Sequence, residues 1–197
     1  NNTASGSYYS SVLSGESSVA TGRNSVVAGG YANTASGSYS TVIGGSTNVA
    51  SGACSTTGGR TNTASGGFSV AFGVNQTASG YISAISGGNL NITSCCYAFV
   101  GGGLENCSTH GYAAVAGGYT NRATGCAAFV GGGCSNNASG TRSTVGGGYA
   151  NSASGYGSVV AGGSIGNAGG TYATVGGGAN NDCLLYTSPS PRDRQKS

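Results

Sequence analysis

Asn33-Thr34-Ala35-Ser36-Gly37-Ser38-Tyr39-Ser40-Thr41-Val42-Ile43-Gly44-Gly45 is one period of a pattern that returns along almost the whole chain. With Ala35 as anchor, the equivalent residues are Ala4, Ala20, Ala50, Ala64, Ala78, Thr93, Ser108, Ala123, Ala138, Ala153 and Ala168, spaced by 14 to 16 residues and mostly by 15. A unit this short has no interior of its own. Each copy must therefore stack on the next, and residues 1–182 read as an all-β, parallel β-solenoid of about twelve coils.

Composition points the same way. Of 197 residues 41 are Gly, only 6% are charged, and Met and Trp are absent. Gly and Ser at this density suppress helices, and no segment carries apolar residues at helical spacing. A strict period with Val and Ala at fixed places argues against disorder.

Within one period, the fifth residue after the anchor is Ser or Ala (Ser25, Ser40, Ala98, Ala113) and the seventh is usually branched and apolar (Val27, Val42, Val100, Val145). Two positions is the spacing of neighbours on one strand face, so both columns are expected to point into the coil. The fourth, sixth and eighth positions, such as Tyr39 with Thr41 and Ile43 or Phe68 with Val70 and Phe72, are then expected on the opposite face of the same strand. That face is apolar too, and a strand apolar on both sides is normally covered on both sides. Association with other chains follows as an expectation, and Tyr39, Tyr97, Tyr112 and Tyr172 fall on the expected interface.

A second short strand centres on the anchor, with Ala inward and hydroxyls outward, as in Thr34-Ala35-Ser36 and Thr63-Ala64-Ser65. Gly at the second position after the anchor, for example Gly37 and Gly140, fits a turn that needs positive φ or has no room for a Cβ. Gly-Gly pairs such as Gly44-Gly45 make the other corner. Asn33, Asn48, Asn62, Asn91, Asn106, Asn121, Asn136 and Asn151 stand two residues before the anchor, where the amide can close a turn, bond to its copy one coil away, or both.

From Cys183 the pattern stops, and residues 183–197 hold both prolines and three basic residues, Arg192, Arg194 and Lys196. This run resembles the read-through translation of a sequencing adapter, and it is set aside as a non-native or disordered tail. Because the chain opens in mid-repeat at Asn1, both natural ends are expected to lie beyond it. Residues 1–182 carry four arginines (Arg23, Arg60, Arg122, Arg142) against Glu16, Glu105 and Asp182, a net of +1. No basic cluster suggests nucleic acid, and no run of about 18 apolar residues suggests a membrane span.

The chemistry-bearing residues are few. One His and three carboxylates are scattered along the repeats, no base recurs beside the many serines, and no cofactor is implied, so no enzyme is expected. Gly101-Gly102-Gly103 repeats as a corner and lacks the strand-to-helix setting of a phosphate loop. Cys95 and His110 share the turn column otherwise held by Gly, with Cys96 and Cys107 close in sequence. Cys95, Cys96, Cys107 and His110 have the content of a zinc site, but their spacing matches no standard finger, and substitution within a turn is the plainer reading. The six repeat cysteines, Cys54, Cys95, Cys96, Cys107, Cys126 and Cys134, form no disulfide framework, and most of them read as small apolar fillers. Tyr31, Tyr119 and Tyr149 share a corner column four residues before the anchor and are candidate ligand-binding residues, since exposed aromatics stack on sugars.

The elements Asn33 to Gly37 with Ser40 to Gly44, and Asn151 to Gly155 with Ser158 to Gly162, resemble the YadA-like head repeats of trimeric autotransporter adhesins. The resemblance covers nearly all of residues 1–182. It implies a left-handed parallel β-roll, a homotrimer, a location at the cell surface and attachment to a host matrix protein or surface glycan. The same repeat style serves phage and viral tail fibres, which makes a virion fibre shaft the alternative. The family's neck, stalk and membrane anchor have no counterpart here, and the Gly doublets are more regular than the family usually shows. A third reading is an ice-binding solenoid, drawn from Thr34/Ser36, Thr63/Ser65 and Thr77/Ser79; Val49, Ile92, Cys107, Arg122 and Asn137 interrupt that array.

Overall fold

The computed structural model describes residues 1–184. Its element order is strand after strand with no helix, and every strand pairs in parallel with the strand two places on. Two sheets result. The anchor sheet has 13 strands, from Thr3–Ala4 to Asp182–Cys183, and the valine sheet has 12, from Ser11–Val12 to Thr174–Val175. With coils ~4.8 Å apart, twelve of them make a rod on the order of 55 Å long. The last strand, Asp182–Cys183, pairs with Asn167–Ala168 and puts Cys183 in the anchor column, so regular pairing runs one residue past the break in the pattern. The remainder of the sequence-predicted tail, from residue 185, lies outside the described residues.

The core is as thin as the period implies. From Ala20 on, the anchor alanines and the valine column (Val27, Val42, Val100, Val115, Val130, Val145, Val160) are fully buried, with Ser or Ala at the fifth position between them. At Thr57 the valine column turns polar, and its hydroxyl donates to the Ala71 carbonyl at 2.8 Å. The hydrocarbon core divides there into a cluster ending at Ala50 and one beginning at Ala64.

The asparagine column closes the corner and also links coils. Asn121 Nδ2 donates to the carbonyls of Gly117 and Gly133, each at 2.9 Å, and its Oδ1 accepts the Asn136 backbone N–H at 3.0 Å. The same set recurs from Asn33 to Asn151, with direct amide-to-amide bonds of 3.1 Å at Asn48 to Asn33, Asn62 to Asn48 and Asn136 to Asn121. Gln76 keeps the chain of bonds with one more methylene, and Gly166 interrupts it.

The glycine column after the anchor takes the second of the two readings left open above. Gly140 is not in the left-handed region, but a Cβ on it would lie 2.0 Å from the Gly155 carbonyl oxygen of the next coil. Positive φ belongs instead to Gly-Gly corners such as Gly45, at +95°.

One expectation about the valine strand is corrected. Most of its copies are two residues long, the sixth and seventh after the anchor, so the fourth position is not on the strand at all. Tyr39, Phe68, Tyr97, Tyr112 and Tyr172 have φ between 55° and 60°, in the left-handed region. The reason is a reversal of hydrogen bonding. Strand amides donate forward, as Thr41 N–H does to the Ser55 carbonyl at 2.9 Å, whereas Tyr39 N–H donates back to the Arg23 carbonyl at 2.7 Å and Tyr97 N–H to that of Tyr81 at 2.9 Å. A second reversal falls three residues before each anchor, as at Thr47, whose N–H donates back to Tyr31.

Candidate functional site

A left-handed corner turns its side chain away from the rod, and the sequence fills this corner with rings. Phe68, Tyr81, Tyr97 and Tyr112 follow one another over four consecutive coils. Phe68 and Tyr81 meet edge to face with centroids 5.7 Å apart, Tyr81 and Tyr97 do so at 6.4 Å, and Tyr97 and Tyr112 stack at 4.9 Å. These rings are 44 to 65% exposed. The third position after the anchor supplies Tyr81 and the fourth the other three, so two adjacent columns feed one ridge. Gly67 gives the Tyr81 ring its place: a Cβ there would sit 3.2 Å from the ring edge.

The ridge continues toward both ends with a cation. Near the start, the Arg23 guanidinium lies 4.7 Å from the Tyr8 ring centre and 5.8 Å from that of Tyr39. Near the other end, Arg142 donates to the Tyr156 hydroxyl at 2.8 Å, and Tyr156 meets Tyr172 edge to face at 5.5 Å. Charge and ring are thus paired along this corner at short range.

Tyr31, Tyr119 and Tyr149 stand on the opposite corner, each about half exposed. They take part in isolated parallel bridges, but Ser46 follows Tyr31 on the next coil, and Cys134 separates Tyr119 from Tyr149. The three share this corner column without touching one another. The ridge on the first corner was missed in the sequence because alternate spacing placed the fourth position on a strand. The signal that would have found it is Asn24 and Gly157 in the same column, two residue types that tolerate left-handed backbone.

Cys95, Cys96, Cys107 and His110 are not brought together either. Among the described residues, no three His, Cys, Asp or Glu side chains form a group that could hold a metal. Cys107 lies on the outer side of the anchor sheet, while Cys95 and His110 lie in the glycine column at the corner. There the second amide bond that Gly125 and Gly140 donate to the next anchor carbonyl is absent. The reading of most repeat cysteines as apolar fillers is not met: Cys54, Cys95, Cys107 and Cys134 are half-buried, and Cys96 and Cys126 are exposed.

Cys107 lines an open groove of about 570 Å³ with Leu90, Ile92, Glu105 and Arg122. Burial pushes its thiol above the ordinary value, and the Arg122 guanidinium partly offsets this. Less of it is thiolate at mildly alkaline pH, and the thiolate is the reactive form. Iodoacetamide at pH 8 is therefore expected to label Cys96 and Cys126 before Cys107, with the order read by peptide mass spectrometry; earlier labelling of Cys107 would contradict this.

No described helix is long and apolar enough to cross a membrane. Compared with known proteins, the chain matches no protein-family model and no curated protein.

Proposed function

We propose that this chain is a non-enzymatic attachment domain of an extracellular fibre, a trimeric β-roll whose repeated surfaces make multivalent contact with a host or another solid support. One observation carries the reading. The outward column of the valine sheet is apolar along much of the rod, with Val26, Val70, Phe99, Phe129 and Val159 half-buried or exposed and small residues such as Gly101, Ala116, Gly131 and Ala161 beside them. A strip of twelve coils, ~4.8 Å each and about 10 Å wide, comes to roughly 580 Å², at the upper end of the largest patch a monomer leaves to water. Three copies packed through such strips would hide them and leave the corners outside. A cell-surface adhesin and a virion fibre shaft both use this arrangement, and genomic neighbours distinguish them. The ice-binding alternative is disfavoured by exposed Ile92 and Arg122, which break the outer array of the anchor sheet.

Light scattering on the chain at micromolar concentration tests the assembly. The expected mass is close to three times 18.7 kDa. Phe99→Asp with Phe129→Asp is expected to disperse it. A monodisperse monomer from the unaltered chain would sink the trimer and remove the main support for the fibre reading.

A further inference from the structure

We propose that the ridge of Phe68, Tyr81, Tyr97 and Tyr112 is a binding platform for a neutral, linear polysaccharide. The inference rests on the attachment reading and names its ligand class. Phe68, Tyr97 and Tyr112 occupy a left-handed position, where a bulky residue is strained, and they remain about half exposed. Neither backbone nor core asks for a ring there, since Asn24, Ala127 and Gly157 fill the same column. Strain and exposed apolar surface at the same residues, with only the contacts between neighbouring rings in return, mark a binding surface.

The ligand class follows from what surrounds the rings. The corner residues of these four coils, 65–68, 79–82, 94–97 and 109–112, include no Lys, Arg, Asp or Glu and a single imidazole, His110, so a polyanion finds no row of cations here. Three residues before each fourth-position residue stands a hydroxyl, at Ser65, Ser79, Ser94 and Thr109, exposed or half-buried on the edge of the anchor sheet. An aromatic row and a hydroxyl row thus run side by side at the same coil spacing. A pyranose has the matching halves, an apolar C–H face for the ring and hydroxyls for the polar row. In an edge-to-face pair only one ring has a face covered, so the run from Phe68 to Tyr97 keeps ring faces open. The periodic row suits a ligand that is itself periodic. A second copy of this chain would instead need a dry, closely packed patch, and a narrow ridge bordered by hydroxyls does not supply one.

The test is retention of the full chain on insoluble cellulose and chitin and in affinity electrophoresis through a soluble β-glucan. The unaltered protein should bind at least one of the three. Tyr81→Ala with Tyr97→Ala should weaken that binding by about tenfold or more, while unfolding stays cooperative and thermal stability falls only by what the lost ring pairs contribute. Ala53 and Ala127 already occupy the same two columns, so the fold accepts both changes. Leu104→Ala, on the opposite corner next to Tyr119, should bind like the unaltered protein. Equal binding by the ridge variant, or a change in its oligomeric mass that makes the ridge a seam between copies, would overturn the proposal. Failure on all three polysaccharides with retained attachment to protein-coated surfaces would overturn the ligand class and leave the attachment reading intact; failure on every surface would remove both.

Discussion

Gly140→Ala is expected to destabilise the middle of the rod by at least about 3 kcal/mol, one of the larger effects a single methyl can have. The added Cβ would stand 2.0 Å from the Gly155 carbonyl oxygen and 2.8 Å from that of Ser154. Both are backbone atoms of the next coil, so no side chain can rotate away. Relief requires the coils to part, which breaks the bonds from Ser139 N–H and Gly140 N–H to the Ala153 carbonyl, now 3.0 and 3.1 Å. The matched control is Gly162→Ala, where a Cβ would meet nothing within 4 Å and φ is not in the left-handed region. Thermal or denaturant unfolding of the two variants side by side decides the matter. A Gly140→Ala protein as stable as the Gly162→Ala protein would mean that the coils are not packed at this spacing.

Asn121→Ala is expected to cost about 2 to 4 kcal/mol, for a different reason. Nothing is overpacked; instead polar groups lose their partners. The Asn136 N–H is held only by Asn121 Oδ1, and the Gly117 carbonyl only by Asn121 Nδ2. The Asn136 N–H is buried, and leaving it without a bond costs far more than that bond contributes net, while the part-buried Gly117 carbonyl can turn to water. Asn121→Gln should lose much less, because Gln76 already bridges Gly87 and Asn91 in the same column, at 3.1 and 2.8 Å. Repeat arrays can open locally, so amide hydrogen exchange is the sharper probe. The Asn136 amide should lose protection in the Ala variant and keep it in the Gln variant. Full protection in both would show that the amide column closes its own corner without linking coils.

The two substitutions act on parts that differ in how plainly the sequence announces them. The anchor alanines, the valine column and the Gly-Gly corners are legible because each recurs at one register and needs one property: small, branched, or free to adopt positive φ. The asparagine column is legible as a position, while its bonding is not, since one side chain bonding within its own coil and with both neighbouring coils looks the same in sequence as one closing a simple turn. Thr57 and Gly166 show the limit from the other side. Each breaks its column in sequence, yet the parallel ladder runs through both; at Thr57 the pairing with the preceding coil holds at Val42 and shifts register only beyond it, before Gly45.

The candidate site was the least legible part. Tyr97 and Phe99 are two residues apart, the spacing of one strand face, and the pattern is the same whether or not the strand reaches Tyr97. It does not. The ridge also mixes two columns, the third position for Tyr81 and the fourth for Phe68, Tyr97 and Tyr112, and a column-by-column reading separates residues that touch in space. In the opposite direction, Tyr31, Tyr119 and Tyr149 share a column in sequence and still do not meet, because the coils between them carry other residues there.

The sequence by itself determined that this chain is a stack of short parallel coils and which residues each coil buries. Periodic burial is a property of the repeat, and a unit of about 15 residues has only one way to hide its valines. The tertiary structure alone decided where each strand ends and which rings become neighbours. A residue's place in strand or corner depends on whether its N–H donates to the coil ahead or the coil behind, and that choice is made by carbonyls a full coil away along the chain.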